Sequence, residues 1–212
     1  MFSIRIALLA VLASAGCVAR VPSSTATVRG AIPDDVRSSI TFVSAGDAAY
    51  SAADPIGATG LPGEGRVVHA FVVRLEKDLR VYRLWSGPQV LDATGHTSRL
   101  GSWWTFDQPT GTRDTYRRRF EVCEGWNRLT WVARCVLRKG SVVVIGFGQS
   151  VSENACGNHE RRESYPQNTR DLQVYIHDAF RRTSGEHAEL LCPEENQDYE
   201  DDRDDVSKPR AP

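Results

Sequence analysis

Five runs of β-branched and aromatic residues, at 67–74, 79–85, 129–137, 141–147 and 172–176, constrain this chain more than any other feature. Val67 to Arg74, the polar turn Glu76-Lys77-Asp78 and Leu79 to Trp85 have the composition and spacing of a β-hairpin. The run at 129–137 alternates Leu129, Trp131, Ala133, Cys135 and Leu137 against Thr130, Val132, Arg134 and Val136, the pattern of a half-buried strand. At 141–147 the Val-Val-Val-Ile centre calls for burial on both faces. One segment, 112–123, predicts a helix: Thr112 or Asp114 can cap it, and Tyr116, Phe120 and Cys123 recur at helical spacing. With no regular strand–helix–strand alternation and no internal repeat, the pattern predicts an α+β fold on a largely antiparallel two-sheet core with one or two short helices.

The ends read differently. Residues 1–5 carry one charge, 6–13 are apolar but too short to span a bilayer, and Ala13-Ser14-Ala15-Gly16-Cys17 follows. This resembles the lipobox of bacterial lipoproteins, except that Ser14 stands where leucine is usual. Residues 1–16 are therefore read as a signal peptide and Cys17 as the lipidated anchor of an envelope protein. Cleavage after Ala15 or Ala19, giving a secreted protein, is the alternative. Residues 17–65, rich in Ala, Ser, Gly, Pro and Thr, read as a tether and loosely packed lead-in, with a possible strand only at 40–43. The domain proper is expected at 66–193. The run 194–205 holds eight of the 27 carboxylates and heads a segment, 194–212, expected to be a disordered acidic tail. Without that segment the chain keeps 23 Lys and Arg against 19 carboxylates, a net +4. That balance suits an anionic nucleotide but not DNA or RNA, and Arg117-Arg118-Arg119 reads as one exposed turn.

Setting Cys17 aside leaves Cys123, Cys135, Cys156 and Cys192, an even number in an exported chain, which points to two disulfides. Three pairings are possible. Cys123–Cys135 with Cys156–Cys192 is favoured because each closes a modest loop. No metal is expected, since there is no Cys-x-x-Cys and no histidine at ligand spacing.

Common catalytic motifs are missing, and Gly148-Gln149-Ser150-Val151-Ser152 has serine where Gly-x-Ser-x-Gly needs its second glycine. What remains is an ordered set: Tyr82-Arg83-Leu84-Trp85-Ser86-Gly87, Gly101-Ser102-Trp103-Trp104-Thr105, Trp126-Asn127, Lys139 to Gly146, and Leu172-Gln173-Val174-Tyr175-Ile176. In that order it resembles bacterial secreted and polymorphic-toxin domains related to the tuberculosis necrotising toxin NAD glycohydrolases and, more distantly, to the ADP-ribosyltransferase fold. The resemblance covers about residues 79–177 and implies a two-sheet core of that type. It implies NAD as substrate, with no separate cofactor, Arg83 on the pyrophosphate or a ribose phosphate and Gln173 at the nicotinamide end. Trp104 and Thr105 would line the binding cleft. An arginine fork suits phosphate oxygens, and cleavage of a good leaving group needs orientation above all.

Each assignment has a plainer counterpart. Arg83 can pair with a neighbouring carboxylate, Gln173 can be a solvent-facing strand residue, and extended Trp103 and Trp104 face opposite ways, so that one is core. A late-strand glutamate, common in ADP-ribosyltransferases, is absent, which favours hydrolysis over transfer or a binding-only descendant. Three readings therefore stay open: an envelope lipoprotein whose domain binds and hydrolyses NAD, a non-catalytic lipoprotein using the same fold as a binding or structural module, and an exported toxin, which a lipid anchor would oppose. The partners implied are the membrane, through Cys17, and a dinucleotide; no protein partner is legible.

Overall fold

The apolar runs separate into two antiparallel sheets. The structure is a computed structural model that describes residues 30–157, 162–186, 188–193 and 197–199. The expected signal peptide, Cys17, and the remainder of the acidic segment lie outside the described residues. In chain order the elements are α1 Asp34–Arg37, β1 Ile40–Phe42, α2 Ala48–Ala52, α3 Pro55–Ala58, β2 Phe71–Leu75 and β3 Leu79–Trp85, then β4 Trp103–Trp104 and α4 Arg113–Phe120. They continue with β5 Trp131–Leu137, β6 Val142–Phe147, α5 Glu153–Cys156, β7 Leu172–Tyr175, β8 Leu190–Leu191 and β9 Gln197–Asp198. One sheet runs β1-β2-β6-β7-β4; in the other, β5 pairs with β3 on one side and with β8 and β9 on the other.

The main core lies between the sheets, where Val73, Leu75, Val143, Ile145 and Val174 of the first meet Val81, Trp85, Ala133, Cys135 and Leu137 of the second. Helix α4 covers the outer face of the second sheet through Tyr116 and Phe120, packed with Leu84, Leu129 and Val132. It begins where the sequence places its cap, with Thr112 Oγ1 accepting from the Thr115 N–H at 3.1 Å. Its arginines are not one exposed turn. Arg117 is buried and donates to the Val122 carbonyl at 3.1 Å, and Arg119 bonds Asp171 at 2.5 Å, leaving Arg118 in solvent.

Several expectations are corrected by pairing. β2 and β3 are not a hairpin, because β2 pairs with β1 and β6 while β3 pairs with β5. The 76–78 turn instead carries the chain from one sheet to the other, and 138–141 carries it back. The two crossovers are tied by Lys139 N–H to Asp78 Oδ1 at 2.7 Å and Leu75 N–H to Ser141 O at 3.0 Å. β2 is buried on both faces, so it needs a strand on each edge and a layer on each side, which a lone hairpin cannot supply. The domain also starts before 66. Ile32, Val36 and Ile40 enter the main core, and Ala53 and Ala58 pack with Val67, Val72 and Val144. In the acidic run expected to be structureless, Gln197–Asp198 pairs with β5 and Tyr199 is buried.

Two disulfides form, but as Cys123–Cys156 and Cys135–Cys192 rather than the favoured pairs. Strand register decides this where loop length cannot. Val136 lies opposite Leu191, which brings Cys192 alongside Cys135. The segment carrying Cys156 is held over the end of α4 by Trp126 Nε1–H donating to Ala155 O at 3.2 Å.

Candidate functional site

A single short segment stitches the two sheets together. Trp103 and Trp104 pair with Tyr175 and Val174 of β7, and the next residue, Thr105, exchanges both backbone hydrogen bonds with Tyr82 of β3 at 2.8 and 2.9 Å. Beside this junction opens a cavity of about 360 Å³ whose lining includes Arg83, Trp104, Tyr116, Glu121, Trp126 and Gln173, with Glu64 and Arg66 also at its wall. Its size and mixed lining are those of a small-molecule site. Arg83, Trp104 and Gln173, taken from three separate parts of the sequence pattern, thus come together. Thr105 does not: it is 1% exposed, and its Oγ1 accepts from the Asp107 N–H at 3.1 Å. Its part is to hold the junction.

Arg83 makes no ion pair with a carboxylate among the described residues. Its Nε donates to Ser98 O at 2.9 Å and its Nη1 to Trp103 O at 2.7 Å. Carbonyl dipoles solvate the charge without cancelling it, and burial lowers its pKa only to about 10, so the cavity keeps a cation at neutral pH. Nη2 makes no hydrogen bond among the described residues. Gly101 explains why this geometry is possible, since a Cβ there would lie 2.5 Å from Nη2.

Gln173 is buried rather than solvent-facing. Its Nε2 donates to Phe120 O at 3.2 Å and to Glu121 Oε2 at 2.8 Å. Glu121, which the sequence did not flag, sits at the end of α4 with φ 50° in the left-handed region. It is 2% exposed. Burial pushes its carboxyl up to about 9, the Gln173 hydrogen bond opposes that rise and Asp171 adds to it, so the group is uncharged at neutral pH. Gly148 leaves it room, because a Cβ there would fall 1.7 Å from Oε2.

Glu121 yields a stability prediction. Its folded-state pKa lies above its ordinary value of 4.5, so the folded chain holds the extra proton between pH 4.5 and about 9 and loses stability as pH rises through that window. Glu121→Gln removes the proton linkage. Urea unfolding should show the variant more stable than wild type by up to about 5 kcal/mol at pH 8, with the gap closing toward pH 4.5. A constant difference across that range would refute the assignment.

The aromatic with open surface is Trp126, 47% exposed, with its ring against Gly65. Trp104 is 2% exposed and donates through Nε1 to Gly101 O at 2.7 Å, while the Trp103 ring packs on Tyr175 at 4.9 Å between centroids. Of Trp104 and Trp126, both at this cavity, Trp126 is therefore the one with an open face. Its neighbour Asn127 is committed to the fold, donating to Leu84 O at 2.8 Å and accepting from Leu129 N–H at 2.9 Å. Cys123, Cys156 and Glu163 bring ligand-type atoms within 4.8 Å of one another, but both sulfurs are spent on the disulfide.

No family model matches the chain, and no curated protein does. Among solved structures, that of Tne2 in complex with Tni2 matches at 9% sequence identity and a TM-score of 0.39, covering 66% of this chain and 97% of that one. The class defined by the sheets is an α+β domain of two antiparallel layers. Its cavity, at their junction, holds Arg83, the open face of Trp126 and the uncharged Glu121 carboxyl bonded to the Gln173 amide, with Arg66 and Glu64 at its wall.

Proposed function

We propose that this chain is an envelope lipoprotein, anchored through Cys17, whose ADP-ribosyltransferase-like domain binds NAD at the sheet junction and hydrolyses its N-glycosidic bond. The observation that carries the reading is the convergence of Arg83, Trp104 and Gln173 on one cavity. In this reading Arg83 Nη2 takes a phosphate oxygen, Trp126 takes a flat ring, and the nicotinamide end lies against Gln173. Cleavage breaks the bond between the ribose C1′ and the ring nitrogen, and the electron pair leaves with nicotinamide. Water adds to C1′ and gives up a proton. A positioned dinucleotide and an admitted water are the main requirements.

Glu121 favours the second reading, a binding module without turnover. An uncharged carboxyl lends little to an oxocarbenium-like centre, and Glu121 is the carboxyl hydrogen-bonded to Gln173. Incubation of the purified protein with NAD separates the two. Nicotinamide release supports hydrolysis, a rise in melting temperature without release supports the module, and neither sinks both. Trp126→Ala should weaken NAD binding by about tenfold, because it deletes the stacking face, and Trp126→Phe, which keeps a ring but not the bond to Ala155 O, should recover most of that loss. Mass spectrometry of the mature N-terminus tests acylation of Cys17 against secretion.

A further inference from the structure

Gln173 is held from outside its own sheet. Both acceptors of its Nε2, the Phe120 carbonyl and Glu121 Oε2, belong to the end of α4. Flipping the amide would set an oxygen against the Phe120 carbonyl, so the orientation is fixed by the network. Oε1 receives no hydrogen bond from the described residues and is not among the buried polar atoms lacking a partner, which leaves it to the cavity that Gln173 lines. Gly148 lets this arrangement close, because a Cβ there would come within 2.6 Å of Gln173 Nε2.

We infer that Glu121 is a positioning residue that locks Gln173 with its carbonyl oxygen toward the cavity, so that the ligand group received there is a hydrogen-bond donor, a primary carboxamide in preference to a carboxylate. This deepens the proposed NAD site and rests on that reading for the ligand. A carboxamide offers N–H to Gln173 Oε1, whereas a carboxylate sets lone pairs against lone pairs. Cavity charge follows the same residue. Glu121 faces Asp171, itself paired with Arg119, and shares the cavity with Arg83, Arg66, Glu64 and Tyr116. While Glu121 holds its proton, Arg83 is not opposed beside Gln173. Loss of that proton above about pH 9 adds an anion and weakens binding of any phosphate-bearing ligand.

Two measurements on the full chain test this. In the unliganded protein, the side-chain amide protons of Gln173 should exchange slowly by NMR in wild type and Glu121→Gln and rapidly in Glu121→Ala. In titrations, wild type should prefer NAD over its nicotinic-acid analogue by about tenfold. Glu121→Gln should keep that preference and lose the fall in affinity above pH 9, and Glu121→Ala should reduce the preference to within about threefold. Fast exchange in wild type, or an undiminished preference in Glu121→Ala, overturns the inference. Binding of neither dinucleotide overturns the NAD reading instead, and the exchange measurement then decides the positioning role alone.

Discussion

Arg83→Met is expected to weaken NAD binding by about 100-fold, close to 2.7 kcal/mol, and to cost about 2 kcal/mol of stability. The first loss follows from charge: Arg83 offers the cavity an uncompensated cation, and a charge-assisted hydrogen bond to phosphate is the strongest contact available there. The second follows from what the guanidinium holds. Ser98 O and Trp103 O both accept from it, and methionine fills the volume while leaving those carbonyls without their donor. Arg83→Lys separates the two, since an ammonium keeps the charge but cannot span both carbonyls in a fixed plane. Gly101→Ala should reproduce part of the binding loss with Arg83 itself unsubstituted, because its methyl would lie 2.5 Å from Nη2 and displace the guanidinium. Calorimetric titration with NAD alongside urea unfolding reads both quantities. Binding by Arg83→Met within threefold of wild type would remove the phosphate from this arginine.

The strands were legible because burial of a pleated surface selects β-branched and aromatic residues whatever the partner strand is. Leu79–Trp85 and Leu172–Tyr175 stand where those residues alternate. Which strand pairs with which was not legible, because the Glu76-Lys77-Asp78 turn is equally a hairpin turn and a crossover, and only the two-sided burial of β2 decides between them. The lead-in was underestimated for a similar reason. Its contribution to the core rests on a few side chains, Ile32, Val36 and Ile40, spaced too irregularly to carry a period. At the site, glycines carried more information than they showed in sequence. Gly101 and Gly148 each lie where a Cβ would strike Arg83 or Glu121, a constraint that appears only once distant segments meet. Glu121 itself was hidden. Following three arginines at a helix end, it reads as a solvated charge, and the amide that hydrogen-bonds it is 52 residues away.

The disulfides should separate the site from the scaffold. Removing either one relaxes the unfolded chain by similar amounts: the bridges span 33 and 57 residues, and loop-closure entropy puts each at ~4 kcal/mol. Their positions differ in kind. Cys135–Cys192 joins β5 to the residue after β8, with Cys135 in the main core, Cys192 packed against it, and neither at the cavity wall. Cys123–Cys156 pins the segment just beyond α4, from which Glu121, Trp126 and Asn127 reach the cavity, and Cys123 accepts through its carbonyl from the Trp126 and Asn127 N–H groups at 3.0 and 3.2 Å. Paired serine substitution of Cys135 and Cys192 should therefore lower stability by about 4 kcal/mol yet leave NAD affinity of the remaining folded protein within about threefold. The same change at Cys123 and Cys156 should cost comparable stability and at least tenfold in affinity, because Gln173 and Trp126 lose the fixed wall against which they are set. Calorimetry below the unfolding transition, with urea unfolding beside it, measures the contrast. Equal affinity losses in the two variants would mean that the cavity wall is held by the sheets and not by the Cys123 bridge.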